Sequence, residues 1–455
     1  MIETLRPWRE GKPWLTNAVL FLLGCGLLLL TRQLLAEHVR FAIGFSGVSG
    51  WSAIVFLAAV VVVLTQLVNR WTLWLIVAFA VAMQGMVLFS APFTSSDMYR
   101  YVWDGIVQHA HVNPYRYVPG DPALAYLREP HRDVFDHINR RDYARTIYPP
   151  VAQMIYWAIT LLSPTVVMMK LALVAFAGIA GVVVTRLLVL MGRRREEILL
   201  YAWCPLLVWE IGLAGHVDAV VLMFIALALL FRFQGKPVLV GLFLGLAVLT
   251  KFYPLVLFPA LWMRRDWKMP AVMVALAAVT YSVYLSAGKL VLGFLSGYKE
   301  EEGLNSGTRF FLLQLAQKWK PLENLPVVAY EIFCVAVFAG LMVWAWRRAT
   351  PEVAVRGRRP EFVVTAMAFA FAMMLLFSPH YPWYVLWLIP FLALVPNLPV
   401  AAYLMGMFYL LTTALADGND DNTFILNSRL YVVVAVAMVV QWMWSRWGDK
   451  AGIRE

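Results

Sequence analysis

The chain has 455 residues, 62% hydrophobic and 14% charged, with a formal net charge of +11 and a mean hydropathy of +0.70. Ordinary soluble domains carry about 25% charged residues, and a soluble chain of this length needs polar cover over its surface. A water-soluble globular enzyme and a disordered protein are both excluded. The apolar runs are continuous rather than alternating, which excludes an outer-membrane barrel and predicts an all-α polytopic membrane protein.

A crossing helix needs about 20 apolar residues. In chain order the candidate spans are 15–35, 51–69, 71–92, 165–191, 198–214, 217–233, 237–250, 252–263, 269–292, 326–346, 361–378, 383–396, 398–415 and 428–445, a bundle of about 13–14 helices with short members. Lys and Arg orient them. The clusters Arg6/Arg9/Lys12, Arg193/Arg194/Arg195, Arg232/Lys236, Arg264/Arg265/Lys268, Arg347/Arg348 with Arg356/Arg358/Arg359, and Arg446/Lys450/Arg454 all fall inside if fourteen crossings are made. The positive charge is thus an orientation signal and does not imply nucleic acid. The first apolar run has no small-residue cleavage site and reads as an uncleaved span. Cys25, Cys204 and Cys334 lie within apolar stretches without a CxxC, as buried thiols do. No repeat or linker divides the chain, so residues 1–455 read as one integral-membrane domain.

Two stretches fix the topology. Residues 147–163 resemble a span, but a crossing there would place Arg193–Arg195 outside, so a juxtamembrane or re-entrant helix is expected. Residues 237–263 are flanked by cations on both sides and must form a hairpin of short helices. Its break falls at Thr250-Lys251-Phe252-Tyr253-Pro254, because Pro254 removes a donor and disfavours helix at Tyr253. This topology leaves residues 93–163, 296–325 and 416–427 outside, together with or beside all seven histidines. That side is the expected working face.

Thr94–Thr146 holds seven acidic residues, seven arginines and four histidines. Connecting loops longer than about 15 residues are usually functional or disordered, and the Tyr, Trp and turn content here favours order. Ser95 or Ser96 can cap a helix starting at Asp97, ending near His111 before Asn113-Pro114. Asp97 and Asp104 are two turns apart on one face, with Arg100 beside them. Two carboxylates around a cation make a candidate acid/base site; alternatively they are acids of a solvated helix favouring its dipole. His109, His111, His131 and His137 lack metal-ligand spacing. Arg128, Arg132, Arg140, Arg141 and Arg145 are expected to pair with Glu129, Asp133, Asp136 and Asp142, or alternatively to hold an anionic substrate or lipid headgroup, ion pairing being the favoured reading.

Further ionisable residues lie at span boundaries, where function is the default hypothesis. Glu210, His216 and Asp218 surround a turn at Gly215, where Asp218 can alternatively cap the next helix. Lys251 sits at the hairpin break, either snorkelling or neutralising a phosphate. Arg309 follows the Lys299–Glu302 charge run. His380, in Ser378-Pro-His-Tyr-Pro-Trp-Tyr384, is interfacial filler or a phosphate or sugar contact. Asp417, Asp420 and Asp421 read as a solvated turn too short for an EF-hand calcium loop.

Several stretches together resemble integral-membrane glycosyltransferases of the GT-C class, closest to bacterial members that use polyprenyl-phosphate-mannose. They are Asp97-Met-Tyr-Arg-Tyr-Val-Trp-Asp104-Gly, Asn113-Pro-Tyr-Arg-Tyr, Tyr148-Pro-Pro-Val-Ala-Gln153, Gly215-His-Val-Asp218, Thr250-Lys-Phe-Tyr-Pro254 and Ser378–Tyr384. One departure is that three spans precede the acidic loop, where many members have one. The resemblance implies a GT-C-like bundle in the bacterial inner membrane, with its active site on the extracytoplasmic side. It further implies inverting transfer of a hexose, most simply mannose, from a polyprenyl-phosphate donor to an acceptor hydroxyl of a glycan, lipid or protein. Asp97 would be the base, with Asp104 as the second catalytic candidate. Arg100, Tyr148, His216, Asp218, Lys251, Arg309 and His380 would bind substrate or donor. A phosphate-linked sugar is already activated, so no cofactor is required, although a divalent metal could assist. The competing readings are a transporter or flippase of a lipid-linked sugar, which would favour inverted repeats, and a scaffold subunit without activity.

Overall fold

The computed structural model describes residues 11–36, 44–92, 94–263, 266–348, 355–417 and 420–450. Arg6, Arg9, His38, Arg264, Arg265 and Arg454 lie outside the described residues, as do the side chains of Asp417, Asp420, Asp421 and Lys450. Among the described residues every regular element is helical.

Six helices are long and apolar enough to cross a membrane: Pro13–Ala36, Gly47–Thr65, Arg70–Leu88, Val166–Leu190, Val327–Arg348 and Thr423–Arg446. Lys268–Ser282 and Leu285–Glu301 make a seventh if the pair, bent by 116°, is one span. Other expected spans are shorter helices, including Pro237–Val248, Glu361–Phe377 and Pro382–Leu394, and Pro150–Leu162, expected as a juxtamembrane or re-entrant helix, is short as well. The long helices expose large apolar side chains such as Leu22, Val81, Val182 and Val335, which suits a lipid solvent and not water.

The expected spans at 198–214 and 217–233 are internal. Asp218–Phe233, at 16 residues, buries side chains around almost its whole circumference, as an apolar helix inside a large core does. It packs between Val166–Leu190 and Pro237–Val248. Before it, residues 198–214 form short helical turns and a π-helical turn at Val208–Leu213, all buried. Irregular backbone at membrane depth is tolerated where protein covers it. The 237–263 hairpin breaks where expected: Pro237–Val248 ends before Thr250, and a 3-10 turn begins at Tyr253.

The Asp97–His109 helix crosses Pro150–Leu162. Gly105 makes this crossing close, because a Cβ there would lie 2.2 Å from Thr160 Oγ1 and 2.9 Å from the Tyr156 carbonyl. His109 Nε2 reaches Thr160 Oγ1 at 3.0 Å, and Gln108 donates to the Gln153 carbonyl. The Asp97 amide donates to Ser95 Oγ at 3.3 Å, while Ser96 makes no side-chain cap. The lead-in to Asp97 is pinned by Lys170, fully buried in the first turns of Val166–Leu190. Its ammonium donates to the carbonyls of Val87 (2.9 Å) and Ser90 (2.7 Å), carbonyls freed at the end of the Arg70–Leu88 helix.

At the other end of Val166–Leu190 stands the triple arginine. Arg193 donates to the Ala393 and Leu394 carbonyls and pairs with Glu197. Arg194 donates to Gln66 and Val63 carbonyls and lies 3.5 Å from the same carboxylate. Arg195 pairs with Glu196 at 3.3 Å. Arg193 and Arg194 thus close helix C-termini, in addition to any part they play in orienting the chain.

Candidate active site

A cavity of about 1160 Å³ lies between the Asp97–His109 helix, the 137–149 segment, the hairpin break at 251–256, the Leu295–Glu301 helix and the Tyr381–Tyr384 turn. One stretch of wall is polar, with Asp97, Asn139, Arg140 and Tyr148. Another is apolar, with Val256, Phe338, Met373 and Phe377 beside Phe252 and Leu255, whose exposures of 40% and 53% mark the edge facing outward.

Asp97 is held by neutral donors. Asn139 Nδ2 donates to its Oδ1 at 3.1 Å and the Tyr148 hydroxyl lies 3.4 Å from its Oδ2. Burial, with Asp97 and Tyr101 nearby, raises the Tyr148 pKa well above its ordinary value, so this phenol stays a donor. Behind it the Tyr101 hydroxyl lies 3.3 Å away, and the Tyr101 ring stacks on Tyr156 at 4.7 Å. Asn139 is presented by a strained turn, since the next residue, Arg140, has φ of 53°. A non-glycine residue there costs on the order of 1–3 kcal/mol and persists where its surroundings fix it. Here Arg140 Nε is 2.7 Å from Glu301.

Asp104 does not line the cavity. It is buried, 2.8 Å from Arg100 Nε, and accepts from Gln153 Nε2 at 2.9 Å. Arg100 also donates to the Ala144 carbonyl at 3.0 Å and lines the cavity. The shared helix face therefore divides: Asp97 opens on the cavity, and Asp104 anchors Arg100.

Lys251 lines the cavity beside Tyr253. Behind them Asp218, wholly buried, accepts from the Lys251 ammonium and from the Tyr253 hydroxyl, each at 2.5 Å. Asp218 makes no helix cap with its side chain; its oxygens are spent on the hairpin break. His216 is buried outside the lining, stacked on Trp383 at 4.2 Å and 3.3 Å from Glu210. Gly215, with φ of +74°, makes the turn between Glu210 and Asp218, a conformation that favours glycine.

Arg309 is buried in a pair with Glu302, a lining residue, and its guanidinium lies 5.7 Å from the centre of the Tyr384 ring. His380 stands outside the lining, and burial together with Arg309 pushes its pKa down to about 4, leaving it uncharged near neutrality. Arg132 and Arg141 pair with neighbouring carboxylates as expected, whereas Arg140 pairs with Glu301 of a distant segment. Arg128 instead donates to the Asp121 carbonyl, and Arg145 to the Arg116 carbonyl. Among the described residues no group of three or more His, Cys, Asp or Glu is arranged to hold a metal.

Of the residues expected in the site, Asp97, Arg100, Tyr148 and Lys251 line one cavity, Asp218 stands behind Lys251 instead of facing substrate, and Asp104, His216, Arg309 and His380 lie outside the lining. The sequence reading missed the lining residues Asn139, Tyr253, Lys299 and Tyr384. Tyr253 carried a faint signal, being two residues from Lys251 in the hairpin break. Asn139 carried none, because only the turn at Arg140 aims it.

The arrangement defines a multi-pass membrane protein with a carboxylate and cations facing one large, partly apolar cavity. Residues 146–379, just over half of the chain, match Glycosyltransferase family 87, and the protein belongs to that family. The family is of GT-C type and includes polyprenol-phosphate-mannose-dependent mannosyltransferases, so this chain is a membrane glycosyltransferase. Asp97 and its helix lie N-terminal to the matched residues. Comparison with curated proteins and with solved structures gives no match.

Proposed function

We propose that the protein transfers a hexose, mannose in the simplest case, from a polyprenyl-phosphate donor to an acceptor hydroxyl. The transfer takes place in the cavity at the outer face of the bacterial inner membrane, with Asp97 as general base. The observation that carries this is the position of Asp97: a carboxylate on the cavity wall, bonded only by neutral donors and so open to a hydroxyl proton. The apolar stretch at Val256, Phe338, Met373 and Phe377 suits an isoprenoid chain, and Lys251 near its edge suits the attached phosphate.

The step balances simply. The acceptor O–H proton passes to the Asp97 carboxylate as its oxygen bonds to the anomeric carbon. The bond from that carbon to the phosphate oxygen breaks on the opposite face, inverting the centre, and polyprenyl phosphate leaves with one more negative charge. Cations fixed in a water-poor site stabilise developing charge. Asp104 serves by holding Arg100, and Asp218 by holding Lys251 and Tyr253.

A positioned base contributes roughly 10²–10⁴-fold. Asp97→Asn, with the same shape and no basic oxygen pair, is expected to lower kcat by that factor in a detergent assay with polyprenyl-phosphate-mannose, while melting unchanged. Turnover at the unsubstituted rate would remove Asp97 from the mechanism.

A further inference from the structure

Charge accounting around the cavity singles out two cations. Five positively charged side chains line it: Arg100, Arg140, Arg145, Lys251 and Lys299. Three are already matched, Arg100 by Asp104, Arg140 by Glu301 and Lys251 by Asp218. The lining carboxylate Glu302 is matched in turn by Arg309. Arg145 donates to the Arg116 carbonyl at 3.3 Å and has no carboxylate within ion-pair distance among the described residues. Lys299 is exposed and has no carboxylate within ion-pair distance among the described residues. Asp97 has no cation within ion-pair distance among the described residues, although it attracts Arg140 at longer range; two unmatched cations, Arg145 and Lys299, against this one acid leave the lining with an excess of positive charge.

These two residues belong to one wall. The segment bearing Arg145 meets the segment bearing Lys299 through the Phe294 amide and the Thr146 carbonyl at 3.4 Å, through Arg140 and Glu301, and through the Tyr143 and Phe294 rings. An anion arriving at Lys251 must compete with a carboxylate 2.5 Å away. An anion arriving at Arg145 and Lys299 displaces no carboxylate, and exposed donors on a flexible lysine stem and a forked guanidinium suit phosphoryl oxygens.

We infer that Arg145 and Lys299 form an anion subsite for a phosphoryl group of a lipid-borne substrate, separate from the Lys251–Asp218 pair. The inference rests on the reading of this cavity as the transfer site. The phosphoryl group belongs either to the isoprenoid donor or to an anionic lipid acceptor, and the two sources separate by experiment.

Binding to the full-length protein in neutral detergent is measured by calorimetry with four probes: a short isoprenyl monophosphate, the matching isoprenol, a short-chain anionic phospholipid and a neutral alkyl glycoside. The unsubstituted protein is expected to bind at least one phosphorylated probe about tenfold or more tighter than its uncharged counterpart, with an advantage that shrinks as salt rises. Arg145→Gln with Lys299→Gln should erase that advantage, and Arg145→Lys with Lys299→Arg should keep most of it. Loss for the isoprenyl phosphate assigns the subsite to the donor; loss for the phospholipid assigns it to the acceptor. An advantage that survives the double glutamine variant, or disappears only in Lys251→Met, overturns the subsite. So does an equal loss in the charge-conserving variant. Because the readout is binding, absence of sugar transfer by the unsubstituted protein would count against the proposed reaction and still leave the subsite decided by these titrations.

Discussion

At one end of the Val166–Leu190 helix, Arg193 and Arg194 converge on Glu197, and their remaining donors close the carbonyl ends of two neighbouring helices. At the other end, about 37 Å away for 25 residues at 1.5 Å each, the chain pinned by Lys170 leads to Asp97 and a cavity. There, among the described residues, a carboxylate is bonded by neutral donors and two cations have no acid within ion-pair distance. The residue types are the same, and what differs is whether charges are matched to each other or kept for something that arrives. Matched buried charges fasten helices; unmatched ones facing a cavity are the part that can do chemistry.

Substitution can break this contrast, beginning with the largest expected effect. Glu197→Gln should destabilise the protein by about 3–5 kcal/mol, because it strands two arginines that share one buried carboxylate. Thermal aggregation in detergent, followed by size-exclusion chromatography, should shift down by several degrees, while kcat of the surviving folded protein stays near its original value. Asp97→Asn should do the reverse. If both variants lose stability and activity in parallel, the division between a fastening end and a reacting end is wrong.

Asp218→Asn should fall between these poles. It removes the charge matching Lys251 yet keeps one oxygen for Tyr253 or Lys251. The hairpin break then loses its anchor next to the cavity, and the freed ammonium gains attraction for phosphate. Tighter binding of isoprenyl phosphate, by several-fold, with kcat reduced by about tenfold, is the expected split. Unchanged phosphate binding would mean that Asp218 does not restrain Lys251.

How much of this was legible in the sequence follows from where the signal resides. Hydrophobic runs and proline positions carry helix limits, so the short Pro150–Leu162 helix and the break at Thr250–Pro254 were readable. Run length does not say whether a helix faces lipid or protein. Residues 198–214 read as a span and are instead turns and a π-helical segment walled in by other helices. The triple arginine read as an orientation mark, and its hydrogen bonds to carbonyls some 130 and 200 residues away in the chain have no local signature. Within the site, Asp97 and Lys251 were visible because charges at a membrane boundary are conspicuous. Which of Asp97 and Asp104 faces the cavity depends on Gln153 and the crossing at Gly105, which no spacing rule contains.

Tyr148→Phe tests the cavity end more finely. The hydroxyl lies 3.4 Å from Asp97 Oδ2 and stays protonated, because burial raises its pKa well above the ordinary value. A donor at this distance orients the carboxylate toward the acceptor proton, and such a bond contributes about 0.5–1.5 kcal/mol. Removing it should lower kcat by a few-fold and leave KM for the donor unchanged. A rise in KM with kcat unchanged would show that Tyr148 acts on the substrate instead of the base.

The smallest effect is expected at Asn139. Its bond to Asp97 Oδ1 is shorter, at 3.1 Å, but it is made at an exposed side chain, where water replaces a lost donor. A typical net hydrogen-bond contribution is about 0.5–1.5 kcal/mol, and solvent access places Asn139→Ala at the low end, a two- to threefold fall in kcat. The double variant should lose more in kcat than the product of the two single losses, since Asp97 would have neither oriented donor and its carboxylate would be free to turn. A double variant whose loss equals that product would mean that the two donors act on Asp97 independently, and that the strained turn at Arg140 exists for the ion pair with Glu301 alone.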